Sequence, residues 1–168
     1  MTRLALYAIP PKVDREKLAL LRRQLIHKHG GGRAVQYPIH CTLVRGVEVR
    51  DPDALLADLR ARLPSLRPVE LQAGVSLVTG AYWAGVGLRS NAPFERLRAA
   101  LLATVERHAA ELVPAPSPPH ISLAYGARIT GVSRILSPIK RLGIRSVSVA
   151  VEDRTGAFRV VEELLLKT

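Results

Sequence analysis

The sequence predicts an α+β fold of two pseudo-symmetric lobes, each an antiparallel sheet with helices, around a central cleft. Two observations predict it: one order of strand-like and helix-like patterns occurs twice, and two short motifs lie 80 residues apart within that order. The chain has 168 residues, 48% of them hydrophobic, which is enough for one folding unit with a sizeable core. We therefore expect residues 1–168 to form a single domain whose two lobes arose by internal duplication.

The first half of the chain has the order strand, helix, strand, helix, strand. Asp14 is the expected N-cap of the first helix, whose cationic end precedes Gly30 as helix C-termini favour. Asp51 at the cap and Pro52 at the first position open the second helix. Short apolar or alternating segments predict strands at residues 3–9, 38–43 and 69–77.

The second half repeats this order. A helix is expected to begin near Asn91, with an apolar stripe from Phe94 to Val105. A shorter helix is expected at residues 133–142. Strands are predicted at residues 82–88, 120–125 and 147–151, followed by a turn and a last strand that runs to about residue 165.

The two motifs are His40-Cys41-Thr42 and His120-Ile121-Ser122, each on an apolar strand that follows a proline. Side chains alternate along a strand, so the histidine and the hydroxyl of each motif share one face while the residue between them points into the core. One His-x-Ser/Thr triplet would mean little, because chance alone supplies it often. Two triplets at equivalent places predict a single cleft with two imidazoles and two hydroxyls.

Such a set of groups is suited to phosphoryl transfer. Hydrolysis of a cyclic phosphodiester needs a base for water, an acid for the leaving oxygen, and hydrogen-bond donors for the other phosphate oxygens. Histidine suits both proton roles because its pKa lies near neutrality. Neither motif contains a carboxylate, which disfavours a metal mechanism, so we expect neither a metal nor another cofactor.

The charge and the composition bear on partners and compartment. A formal net charge of +11 favours polyanionic partners such as RNA or nucleotides, although the arginines are spread along predicted helices, where a solvated face is the ordinary explanation. Arg22 and Arg98 are among these helical arginines. One cysteine, no signal peptide and no apolar run of membrane-spanning length predict a cytoplasmic protein without a membrane partner, which we expect to be a monomer.

The paired motifs resemble those of the 2H phosphoesterase superfamily, whose members carry two His-x-Thr/Ser motifs in two lobes. The match is closer to the cyclic phosphodiesterase branch, because residues 7–11 resemble its opening strand and residues 119–126 its second motif. The resemblance implies hydrolysis of ADP-ribose 1″,2″-cyclic phosphate and of nucleoside 2′,3′-cyclic phosphates. It implies catalysis by His40 and His120 and phosphate binding by Thr42 and Ser122.

Tyr125 and Tyr7 are further substrate-binding candidates from this resemblance. Tyr125 matches a tyrosine that contacts the phosphate region, yet strand alternation points it away from His120, so the strand must bend there. Tyr7 stands where that branch often has tryptophan. The residue Cys41 replaces an aliphatic side chain and is expected to be a small core residue.

Two other functions stay open at this point. The charge favours an enzyme that opens 2′,3′-cyclic RNA ends, similar to the RNA ligase-like branch. A non-catalytic nucleotide- or RNA-binding module is the contrasting class, against which two intact motifs argue. Arg45 and Arg128 follow the two motifs and could reach a substrate phosphate, or could equally be solvated surface charges.

Overall fold

The computed structural model describes residues 2–30, 33–79, 83–109, 118–125 and 136–167. Arg128 and residues 133–135 of the predicted short helix therefore lie outside the described residues. Along the chain the elements are β1 (Thr2–Ala8), α1 (Lys12–His29), β2 (Cys41–Val49), α2 (Pro52–Arg62), β3 (Val69–Thr79), β4 (Trp83–Arg89), α3 (Ala92–Glu106), β5 (His120–Tyr125), β6 (Arg141–Ile144), β7 (Ser146–Glu152) and β8 (Phe158–Leu165), with short 3-10 turns at Arg33–Gln36 and Leu63–Ser65.

The described strands form one antiparallel, curled sheet in the order β6-β3-β4-β5-β2-β1-β7-β8. Its two four-stranded halves meet where β2 lies beside β5, and the pairing there is limited to Cys41 opposite Ile121. The α+β class with two lobes is confirmed. The lobes are hydrogen-bonded into a continuous sheet at the middle of the two motifs.

Each half of the sheet contains strands from both halves of the sequence. Strand β3 pairs with β4, and strand β7 pairs with β1. Each of these strands has a counterpart in the other half of the sequence: β3 matches β7, β4 matches β1, and β5 matches β2. With this matching, the order β3-β4-β5-β2-β1-β7 is the same from either end of the sheet. This symmetry supports the proposed duplication, and it ties the two lobes together through the chain as well as through the sheet.

The helix ends test the capping predictions. Asp51 accepts a hydrogen bond from the Ala54 N–H at 3.0 Å, and Asn91 accepts one from the Phe94 N–H at 3.0 Å, as expected for N-caps. The prediction for Asp14 is wrong, because α1 begins at Lys12 and its N-cap is Pro11. Asp14 lies in the first turn instead, where a carboxylate is stabilised by the helix dipole without capping.

The predicted helix at residues 133–142 is also wrong over the part that the structure describes. Residues 136–140 are irregular, and Arg141–Ile144 forms strand β6, whose residues Leu142 and Ile144 pair with β3 and are buried. Pro138 removes a backbone donor that a helix would use.

The main hydrophobic cluster lies between the helices and one face of the sheet. It contains the motif residues Cys41, Leu43, Ile121 and Leu123, all of them buried, together with side chains of all three helices. Strand alternation therefore turns the other motif positions toward the opposite face. In the part of the chain that is described, no helix is long and apolar enough to span a membrane.

Candidate active site

The register of the two central strands brings the motifs together. Cys41 and Ile121 are antiparallel partners, and extending this register by one residue each way puts His40 opposite Ser122 and Thr42 opposite His120. Opposed residues of antiparallel strands point to the same face. Both histidines and both hydroxyls therefore lie on one face of the sheet, related by a local two-fold axis through the central pair.

Both imidazoles are oriented by the same kind of contact. The Nδ1 atom of His40 lies 2.6 Å from the carbonyl oxygen of Pro38, and the Nδ1 atom of His120 lies 3.0 Å from that of Pro118. A carbonyl can only accept, so Nδ1 carries the proton in each neutral ring. Proton exchange with a substrate is thereby assigned to Nε2, which in His40 lies 3.2 Å from Thr42 Oγ1.

Both histidines have lowered pKa values. Burial lowers the pKa of His40 to about 4, and the nearby positive charges of Arg22 and a protonated His120 act in the same direction, while the Pro38 hydrogen bond opposes the shift. Burial also lowers the pKa of His120, assisted by the charge of Arg45. Both rings are consequently neutral at pH 7 until a bound anion favours the imidazolium form.

Tyr7 packs directly against the catalytic candidate His40. The two ring centroids are 3.7 Å apart with an interplanar angle of 28°, and Tyr7 is only 4% exposed. Burial raises the pKa of its phenol, which stays neutral. The contact that the structure shows for Tyr7 thus holds the imidazole in place, and this residue also lines the cleft described below.

Two equivalent β-bulges explain the position of Tyr125. In the pairing of β1 with β2, Leu43 has no opposite residue on β1. In the pairing of β4 with β5, Leu123, which lies 80 residues later, has no opposite residue on β4. Each bulge shifts the alternation by one residue, so Tyr125 lies on the same face as Ser122, to which it is hydrogen-bonded. The strand bend that the sequence required is therefore present. The pairs flanking the bulges are Leu6–Val44 and Tyr7–Thr42 in one lobe, and Ala84–Ala124 and Gly85–Ser122 in the other.

The motif face borders an open cleft of about 720 Å³. Of the predicted site residues, His40, Thr42, Tyr7 and Tyr125 line it. His120 and Ser122 are not among its lining residues. They adjoin it through the residues opposite them in the register, which are Thr42 for His120 and His40 for Ser122. The complete lining is Arg3, Tyr7, Gln36, Tyr37, His40, Thr42, Arg45, Gly46, Tyr125 and Phe158.

Neither a protein-family model nor a curated protein sequence matches the chain. Solved structures do match its fold over nearly the whole length. Escherichia coli LigT complexed with 3′-AMP has a TM-score of 0.75 at 15% identity, with 99% of each chain covered. A structure described as a phosphoesterase gives 0.75 at 17% with the same coverage, and TT0787 of Thermus thermophilus gives 0.73 at 19%, covering 98% of each chain.

The chain has the 2H phosphoesterase fold. At this level of identity the likeness concerns the fold, so the chemistry has to be argued from the side chains. In this chain β2 and β5 lie at the centre of the sheet, with His40 directly before β2 and His120 as the first residue of β5.

Two helical arginines contradict the prediction of solvated faces. Arg22 on α1 is half-buried and donates to the carbonyl oxygens of Tyr37, at 3.2 Å, and Ser122, at 3.4 Å. Arg98 on α3 is 8% exposed. Helix periodicity correctly predicted that both residues lie on helices. It did not predict their burial, because a long arginine side chain can reach a strand carbonyl beneath its own helix. Arg22 thus links α1 to the second motif strand.

Sequence reasoning also missed the aromatic wall of the cleft. Tyr37 and Phe158 stack with centroids 5.8 Å apart, and Tyr37 contacts Tyr125 edge-on at 6.1 Å. Tyr37 directly follows Gln36, which also lines the cleft. Phe158 begins the last strand, and no local pattern links it to either motif.

Cys41 is a fully buried core residue, as predicted. Burial raises the pKa of its thiol to about 12, which leaves almost no thiolate at neutral pH. We expect the folded protein to resist alkylation by iodoacetamide at pH 8, and the denatured protein to take up one equivalent, as measured by intact mass. Rapid modification of the folded protein would contradict this burial.

Proposed function

We propose that this chain is a phosphoesterase, and specifically a metal-independent cyclic phosphodiesterase. Its substrates are nucleoside 2′,3′-cyclic phosphates or ADP-ribose 1″,2″-cyclic phosphate. The observation that carries the proposal is the Cys41–Ile121 register, which sets two histidines and two hydroxyls around one point on the cleft side of the sheet. The fold shared with a solved phosphoesterase supports the same reaction class.

In this proposal His40 is the base and His120 is the acid. The neutral Nε2 of His40 takes a proton from water as the water oxygen bonds to phosphorus. The ring P–O bond breaks, and the Nε2–H of a protonated His120 gives its proton to the leaving oxygen. The assignment follows from burial, because a group with a pKa of about 4 is rarely protonated near pH 7 and is thus a poor acid.

The hydroxyls of Thr42 and Ser122 donate to the non-bridging oxygens. They add no negative charge that would repel the phosphate. The hydrogen bond between Ser122 and Tyr125 fixes the second hydroxyl and the adjoining phenol on the cleft side. The stacked ring of Tyr7 keeps the His40 imidazole in its reactive orientation.

The pKa shifts predict an acidic optimum for kcat/KM. The base must be unprotonated, so activity rises as pH passes the His40 pKa of about 4. The acid must be protonated, so activity falls as pH passes the His120 pKa, which lies below its usual 6.5. A bell-shaped profile with its maximum between these values is expected from initial rates. A maximum above pH 8 would contradict the assignment.

The second candidate is an enzyme that opens 2′,3′-cyclic RNA ends. The net charge of +11 favours it, as does a cleft lined by Arg3 and Arg45. Binding through many RNA phosphates weakens steeply with salt, whereas a mononucleotide responds mildly. For either substrate we propose a monomer acting in the cytoplasm.

One assay separates these possibilities. Purified protein in EDTA is given ADP-ribose 1″,2″-cyclic phosphate, a 2′,3′-cyclic mononucleotide and a cyclic-ended RNA, and the phosphate position in each product is assigned by NMR. We expect EDTA-resistant opening of at least one of these esters. Among the described residues, no three His, Cys, Asp or Glu side chains come together as metal ligands. Complete loss of hydrolysis in EDTA, restored by a divalent cation, would contradict the proposal.

A further inference from the structure

Arg45 occupies the place in the first lobe that Tyr125 occupies in the second. It lies three residues after Thr42, as Tyr125 lies three residues after Ser122, and the equivalent bulges at Leu43 and Leu123 turn both side chains toward the cleft. Val44, between Leu43 and Arg45, is fully buried in the core, which confirms the shifted alternation. Arg45 lines the cleft, and it lies at a second register shift of β2, where Arg45 and Gly46 are opposite Ala5.

The backbone beside Arg45 is held by close packing. A Cβ atom on Gly46 would lie 2.9 Å from Cζ of Phe158 and 3.1 Å from Nε of Arg3, distances that allow only glycine without movement. Phe158 in turn stacks on Tyr37. The strand that carries Arg45 is thus fixed against the aromatic wall, so the guanidinium is presented from a rigid element.

The positive charges around the cleft are used differently. Arg3 is bound to Glu152 at 3.1 Å, and Arg22 donates to two main-chain carbonyls. Arg45 is exposed and takes part in none of the ion pairs among the described residues. Its charge is close enough to His120 to disfavour the imidazolium there. A phosphate next to both groups would be attracted by Arg45 and would offset this effect on His120.

We infer that Arg45 binds a non-bridging oxygen of the substrate phosphate on the His120 side of the site. This inference rests on the proposed function and deepens it, since it names a specificity residue outside the two motifs. A guanidinium presents a forked pair of donors that matches two phosphate oxygens. With Tyr125 at the equivalent position of the second motif, the symmetric set of histidines and hydroxyls becomes directional, because a cleft-lining cation follows one motif and a phenol follows the other.

The test compares Arg45→Gln and Arg45→Lys with Arg50→Gln. Arg50 is exposed directly after the same strand and is not among the cleft-lining residues, so its variant loses the same charge away from the site. Each protein is assayed for kcat and KM on a 2′,3′-cyclic mononucleotide. Binding of 2′-AMP, a stable phosphate monoester, is measured by calorimetry, and the His120 pKa is measured by NMR.

We expect Arg45→Gln to lower kcat/KM and 2′-AMP affinity by about 10- to 100-fold, because a charge-assisted contact is lost. The kcat/KM and 2′-AMP affinity of Arg45→Lys should lie between those of Arg45→Gln and the wild type. Both values for Arg50→Gln should match the wild type. The His120 pKa, and with it the alkaline limb of the kcat/KM profile, should move to higher pH in Arg45→Gln only. Among the described residues, the charge of Arg45 lowers the pKa of His120, and a protonated His120 in turn lowers the pKa of His40.

Equal losses in Arg45→Gln and Arg50→Gln would overturn the inference, since general charge would then explain them. The inference would also be overturned if Arg45→Gln bound 2′-AMP as tightly as the wild type, or if the wild type did not bind 2′-AMP. If the wild type opens no cyclic ester but binds 2′-AMP in a manner that depends on Arg45, the proposed reaction is wrong and the phosphate contact stands. The two failures are thereby distinguished.

Discussion

Replacing His40 or His120 by alanine is expected to lower kcat on a 2′,3′-cyclic nucleotide by at least about 100-fold, the usual scale for loss of a positioned acid or base. Each ring has its Nδ1 atom held by a proline carbonyl, at 2.6 Å for His40 and 3.0 Å for His120, which leaves Nε2 as the nitrogen that exchanges a proton with the substrate. The loss should lie in kcat because proton transfer occurs in the transition state.

The matched control is His27→Ala. His27 is exposed near the end of α1 and is not among the residues that line the cleft, so its loss should leave kcat unchanged. His40 is 7% exposed and stacked on Tyr7, so circular dichroism and thermal unfolding must show that His40→Ala is folded. The double variant should be little worse than either single one, since the two groups act together. Unchanged kcat in a folded single variant would remove that histidine from the mechanism.

The second large effect is expected from loss of the two hydroxyls. Thr42→Val keeps the size of the side chain and removes the donor, and Ser122→Ala removes the other donor. Each change should lower kcat/KM by about tenfold or more, and the pair by about 100-fold or more, because oxyanion donors act mainly in the transition state. Thr42→Ser retains the hydroxyl and should stay within a few-fold of the wild type.

Two control measurements accompany the Thr42→Val and Ser122→Ala variants. Ser122 is 6% exposed and hydrogen-bonded to Tyr125, so Tyr125→Phe is needed to separate the serine hydroxyl from its phenol partner. The His40 pKa, measured by NMR, shows whether Thr42→Val disturbs the ring that lies 3.2 Å from its hydroxyl. If Thr42→Val and Ser122→Ala both keep wild-type kcat/KM, the motif hydroxyls do not bind the phosphate.

The positions of the motif residues could be predicted because they depend on local rules. Strand alternation placed Cys41 in the core, where the structure has it. It also put His40 and Thr42 on one face, as the Cys41–Ile121 register now indicates for both motifs. The N-caps Asp51 and Asn91 were predictable for the same reason, since a cap is a contact within four residues.

The features that sequence reasoning missed depend on contacts between distant elements. The bulges at Leu43 and Leu123 become visible only when each motif strand is paired with its neighbour. Phe158 reaches the cleft because β8 pairs with β7, which crosses to the lobe of β1. Arg22 was assigned to solvent because periodicity does not show that a strand carbonyl lies within reach of its side chain.

The helix expected at residues 133–142 failed for a related reason. Leu142 and Ile144 alternate with Arg141 and Gly143, but four residues are too few to separate a strand from a helical turn. Residues 141–144 form a strand because the edge of β3 supplies hydrogen-bond partners for their backbone. Short segments take their structure from the element that they meet.

An NMR titration of the histidine side chains with 2′-AMP shows whether His40 and His120 act on one phosphate. We expect the Nε2 signals of both residues to shift along one binding curve with one equivalent of ligand, and both pKa values to rise in the complex. The Nε2 signal of exposed His27 should not shift when the ligand is added. A response from only one of the two rings, or from neither at saturation, would contradict a shared phosphate site.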